Sequence, residues 1–178
     1  MALARLAVSL SPFLLSIAAF AAPAAALDPG NGGCESCNVI SEKALSLDLA
    51  QAIAQAALAK CRGDGNHVSV TVVDRDGLVK IAFRDELAGP HTIVTSQRKA
   101  FTSPTFKQPS GQWAHRVLTD PAIAGLKDTA GTIALGGGLP IKAGNEVIGA
   151  IGVSGSPGAD KDEACATAGI AQAADKLK

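Results

Sequence analysis

Tyrosine is absent from this 178-residue chain, Trp113 is its only tryptophan, and aromatics make up 3% of it. That shortage excludes the stacking platforms on which single-stranded nucleic-acid binders rest their bases. No charge of either sign predominates, since 16 basic residues stand against 16 acidic ones. A phosphate-tracking surface needs a basic excess, so a nucleic-acid partner is not expected. Low-complexity tracts are lacking, and no apolar run after the first 26 residues is long enough to span a bilayer. The length suits one domain able to bury its own core.

The N-terminus is far more hydrophobic than the 47% of the whole chain. Arg5 is the only charge before Asp28, and the apolar run Leu6–Ala22 is broken only by Ser9, Ser11, Pro12 and Ser16. It ends in small residues, with Ala24 and Ala26 at the −3 and −1 positions of a cleavage site. This is the pattern of a secretory signal peptide over residues 1–26. The expected product is periplasmic or secreted, with no stable membrane insertion after cleavage. Cleavage removes Arg5, Phe13 and Phe20, and leaves Phe83, Phe101, Phe106 and Trp113 as the remaining aromatics.

Export puts the four cysteines, Cys34, Cys37, Cys61 and Cys165, where disulfides persist. Cys34-Glu-Ser-Cys37 lacks the following His of a haem-attachment motif, because position 38 is Asn. It also lacks the second ligand pair of a structural zinc site. It reads as a staple of a Gly- and Pro-rich arm at 27–45, with pairing to the other cysteines and a redox role left open.

The domain is read as residues 46–178. Ser46 caps a helix in which Leu47, Ala50, Ile53, Ala54, Ala57, Leu58 and Cys61 recur at helical spacing, up to Gly63-Asp64-Gly65. Val68, Val70 and Val72 then alternate with Ser69 and Thr71, Asp74-Arg75-Asp76-Gly77 makes a turn, and Leu78–Arg84 returns as the second strand of a hairpin. A helix opening at Gly89-Pro90 presents Ile93, Val94, Gln97, Ala100 and Phe101 and ends at Ser103-Pro104. Short helical pieces follow to 128. Strands are expected at 132–135, 139–142 and 146–154, and a last helix at 160–178 with Asp160 as its cap. The class is α+β, an antiparallel sheet of about five strands with helices on its faces. If the first and last helices lie together, Cys61 and Cys165 form a disulfide, leaving Cys34 with Cys37.

Several residues could carry chemistry. His67 reads as a solvated strand edge. His91 stands at a helix start, which disfavours a protonated ring and suits a ligand or base. His115 lies two residues beyond Trp113. Lys99 could pair with an anion, and the amides of Gly136-Gly137-Gly138 could hold a carboxylate. No G-x-S-x-G elbow or P-loop is present.

Lys99-Ala100-Phe101-Thr102, Gly137-Gly138-Leu139-Pro140-Ile141, Val147–Gly155 and Asp160 follow one another in the order and spacing of a known family, and Val72–Gly77 fits as well. Over residues 44–178 the chain resembles the HbpS-like/GlcG-like haem-binding or haem-degrading family. The resemblance implies a profilin-like fold, assembly into homo-oligomers, and haem as cofactor. Carried over by motif, the pocket residues are Lys99, Thr102, Gly137, Gly138, Pro140 and Ser154. Where the family commonly has a Met-Asp-Gly-Ala stretch after the second strand, this chain has Asp85-Glu86-Leu87-Ala88-Gly89-Pro90-His91. The expected function is an exported haem-binding protein that degrades or senses haem. The competing reading is an enzyme or sensor module that takes a small organic acid in the same glycine-rich pocket. A partner-binding accessory role without a small ligand is the third.

Overall fold

The computed structural model describes residues 40–178, so the leader and the Cys34–Cys37 pair lie outside the described residues. Helix α1 (Leu47–Gly63) leads into the hairpin β1 (Ser69–Asp74) and β2 (Val79–Arg84). Then come α2 (Thr92–Phe106), α3 (Ser110–Thr119), a 3-10 turn at Ala124–Asp128, β3 (Gly138–Ala143), β4 (Glu146–Ser154) and α4 (Ala159–Gln172). The sheet is antiparallel throughout, in the order β2-β1-β4-β3. The α+β class is as expected, with four strands rather than about five.

Helices α1 and α4 cover one sheet face and α2 the other. The Ser46 hydroxyl accepts the Leu49 amide, and Asp48 in the first turn opposes the helix dipole. The α1 stripe Ala50, Ile53, Ala54, Ala57 and Cys61 is fully buried against Val70, Val72, Ile151 and Val153. Helix α4 lies beside α1 because Gly169 has no side chain: a Cβ there would meet the Ile53 carbonyl at 2.6 Å. That approach places Cys61 and Cys165 5.5 Å apart between Cα atoms, joined in the expected disulfide.

The second layer departs from its hydrophobic reading. Helix α2 does not bury Ile93, Val94 and Gln97; Val94 is 57% exposed. Its buried residues include Thr92, Ser96, Lys99, Thr102 and Ser103. They are tolerated because β1 offers hydroxyls of its own. Ser69 Oγ lies 2.7 Å from Thr92 Oγ1, and Thr71 Oγ1 lies 2.8 Å from Ser96 Oγ. Glycine sets the spacing on this side, since a Cβ at Gly152 would meet the Ala100 amide at 2.5 Å.

Three boundaries also differ. Helix α2 runs through Pro104 to Phe106, whose ring stacks on Trp113 with centroids 3.5 Å apart and helps to hold that last turn. Residues 132–135 are irregular rather than a strand. Side chains of α2 take their hydrogen bonds: Arg98 donates to the Thr132 carbonyl, and the Ile133 amide donates to Thr102 Oγ1 at 2.9 Å. The last helix stops at Gln172, followed by a 3-10 turn at Ala174–Lys176. Its cap is Gly158, and Asp160 lies in the first turn.

Candidate functional site

The α2 face of the sheet ends in an open cleft of about 380 Å³ where the start of α2, the 154–158 loop and the start of α4 meet. Of the residues singled out in the sequence, His91, Lys99, Gly136 and Ser154 line it. Asp162 forms part of its wall, as do Thr95 and Leu135. Asp162 is a residue that sequence reasoning did not single out. A signal was present: it lies three residues before Cys165, on the same helix stripe.

Lys99 and Asp162 form a buried ion pair of 2.8 Å. The ammonium also donates to the Val153 carbonyl at 3.0 Å, and the other Asp162 oxygen accepts the Ser156 amide at 3.1 Å. The pair therefore ties α2, the end of β4 and α4 to one another. Gly137 leaves room for it, because a Cβ there would stand 2.9 Å from the ammonium nitrogen.

The Gly137 and Gly138 amides serve the fold. Gly137 N–H donates to Glu163 Oε1 at 3.2 Å, and Gly138 N–H to Ser110 Oγ at 2.8 Å. Thr102 Oγ1 is committed to the Arg98 carbonyl at 2.8 Å and to the Ile133 amide. Pro140 stands in the edge strand β3, where a missing ladder donor is harmless.

The two candidate histidines are not brought together. His115 is exposed on α3 beside a separate cavity of about 560 Å³ bordered by Gln112, Arg116 and Glu163. His91 is exposed at the rim of the first cleft, and neither ring nitrogen has a hydrogen-bond partner among the described residues. Its ring lies over Gly89, where a Cβ would come within 2.9 Å of the imidazole.

His67 is exposed just before β1, as its solvated reading expects, and it also has a partner. Its Nδ1 lies 2.9 Å from Asp85 Oδ1, while Arg62 Nε donates to the other oxygen at 2.5 Å. The Arg62 hydrogen bond above all, then the Leu87 amide, holds the Asp85 carboxyl down at about 2. This cluster fastens the end of α1 to the loop that carries Gly89 and His91.

A model of haem-degrading HbpS-like proteins matches residues 45–171. The chain belongs to the HbpS-like family. HbpS itself, in a solved structure, is 39% identical, with 75% of this chain and 93% of that one covered at a TM-score of 0.71. A double mutant of HbpS from Streptomyces reticuli is likewise 39% identical, over 84% of this chain and 97% of that one, with a TM-score of 0.71. The Klebsiella pneumoniae protein ORFY is 28% identical, over 76% and 94%, at 0.72. PduOC, solved as a haem complex, shares the fold at 24% identity and a TM-score of 0.68, over 73% and 95%. No curated protein sequence matches the chain.

The cleft has groups suited to haem. Iron takes an imidazole as axial ligand, the macrocycle needs apolar contact, and the propionates need donors. His91 offers an uncommitted imidazole, Leu135 is a half-exposed aliphatic side chain in the same cleft, and Lys99 and Ser154 stand deeper in it. Thr102, with its hydroxyl committed and buried, does not suit an axial ligand.

Proposed function

We propose that this HbpS-like chain is an exported haem-binding protein that holds haem at the His91 cleft and acts in haem breakdown or haem sensing. The observation that carries the reading is the His91 imidazole: open to solvent, free of partners among the described residues and seated over Gly89, in a chain of a haem-degrading family. Bound haem would supply the iron chemistry, and the protein its binding, orientation and electrostatics. His91 would ligate the metal. Leu135 would cover part of the macrocycle. The Lys99–Asp162 pair would keep the end of β4 and the start of α4 at a fixed separation.

Haemin titration of the mature protein, followed at the Soret band, tests this. A saturable shift at micromolar protein, abolished in His91→Ala and retained in His115→Ala, is expected. No saturable shift removes the reading. Loss in His115→Ala alone moves the ligand to the α3 cavity.

Export is supported by the leader at 1–26 and by the buried Cys61–Cys165 disulfide, and no helix among the described residues is long and apolar enough to cross a membrane. N-terminal sequencing of the exported protein should begin at Leu27. Homo-oligomer assembly is part of the same proposal; sedimentation of the mature chain checks it, and a monomer at all concentrations counts against it.

A further inference from the structure

We propose that the floor of the cleft is a subsite for a carboxylate group, bound by the Ser154 hydroxyl and the remaining N–H of the Lys99 ammonium. Ser154 is only 6% exposed, yet it lines the cleft and its Oγ has no hydrogen-bond partner among the described residues. Every other buried hydroxyl on this side of the sheet has one: Ser69 with Thr92, Thr71 with Ser96, and Ser110 with the Gly138 amide. The oxygen is open to the cleft rather than sealed from it, so a ligand entering there meets a hydroxyl with its hydrogen-bonding capacity unspent among the described residues.

Lys99 adds a second donor. An ammonium has three N–H groups, and two are spent, on Asp162 Oδ2 and the Val153 carbonyl. No third acceptor lies within hydrogen-bond distance of the nitrogen among the described residues, and Lys99 lines the cleft. The start of α4 borders the same cleft, and its Gly158 cap supplies no side-chain acceptor for the first-turn amides.

Together these present hydrogen-bond donors toward the cleft. The nearby Asp162 carboxylate is already matched by Lys99, and that of Asp160 folds back over Gly158. A carboxylate accepts from both a hydroxyl and an ammonium, and charge-assisted bonds of this kind are the strong ones.

Two sources of carboxylate fit, a haem propionate or a free small carboxylic acid. Only the first rests on the haem reading. The test uses the mature oxidised chain, as wild type and as Ser154→Ala. Because Ser154 Oγ makes no hydrogen bond among the described residues, the substitution should leave the fold intact, and circular dichroism and the unfolding midpoint check that. Acetate is titrated and followed by backbone amide shifts. Haemin and haemin dimethyl ester are compared at the Soret band.

The expected result is saturable acetate shifts in residues 154–158, haemin bound about tenfold tighter than its diester, or both, with each effect reduced about tenfold in Ser154→Ala. Acetate binding without haemin binding leaves the subsite standing for free acids and removes the haem reading. Equal binding of haemin and its diester, with no acetate shifts, overturns the subsite and leaves the haem reading intact. Effects that persist unchanged in Ser154→Ala overturn the assignment.

Discussion

The Lys99 ammonium and the Asp162 carboxylate meet at 2.8 Å across the α2–α4 boundary, with side chains only 5% and 4% exposed. Two charges so placed depend on each other, because removing one strands its partner in a poorly solvated interior. Lys99→Met should therefore cost about 3 to 5 kcal/mol, and Asp162→Leu a similar amount, while the double replacement should regain most of the loss. Urea unfolding of the four proteins measures this. Single variants as stable as wild type would show that water reaches the pair.

Asp85 makes stability depend on acidity. The Arg62 hydrogen bond is the main reason that its folded-state value lies near 2 rather than the ordinary 3.8. A depressed carboxyl stabilises the fold above its ordinary value, and that contribution fades as pH falls from about 4 to about 2. Denaturation midpoints should decline over that window in the wild type and decline less in Asp85→Asn. Parallel curves for the two proteins would show that another carboxylate governs acid unfolding.

The first helix and the hairpin were legible because their signals are local. Ser46 caps, the apolar stripe has one period, and Gly77 sits in a turn at φ +82° where a side chain would strain it. Helix α2 was misread because its inner face is polar, and one sequence cannot show that Thr92 and Ser96 will meet Ser69 and Thr71. For the same reason Thr132–Leu135 looked like a strand: its partners proved to be side chains of Arg98 and Thr102, not a neighbouring strand. At the site, His91, Lys99 and Ser154 were named from motif and position. Asp162 was not singled out, although its spacing from Cys165 placed it inward.

The small residues of β4 should tolerate little. A Cβ at Gly152 would press on the backbone of α2, on the Ser96 carbonyl and the Ala100 amide, which cannot swing aside as a side chain can. Gly152→Ala should cost at least the roughly 1 to 3 kcal/mol typical of overpacking. Gly144→Ala, where nothing lies within 4 Å, meets only the strain of φ +64°. Thermal unfolding that ranks Gly144→Ala below Gly152→Ala in stability would contradict the close seating of α2 on the sheet.

The Cys61–Cys165 bond joins residues 104 positions apart, the first and last helices of the domain. Closing so long a loop restricts the unfolded chain, and the chain-entropy relation puts the gain at about 4 to 5 kcal/mol. Both cysteines are fully buried, so reductant should reach the bond only when α1 and α4 part. Cys61 Sγ also lies 3.7 Å from Ser156 Oγ, on the loop that lines the cleft. The paired substitution Cys61→Ala with Cys165→Ala should thus lower the urea midpoint substantially and shift the amide resonances of residues 154–158. A midpoint within error of the oxidised wild type would show that α1–α4 packing alone holds this end of the domain.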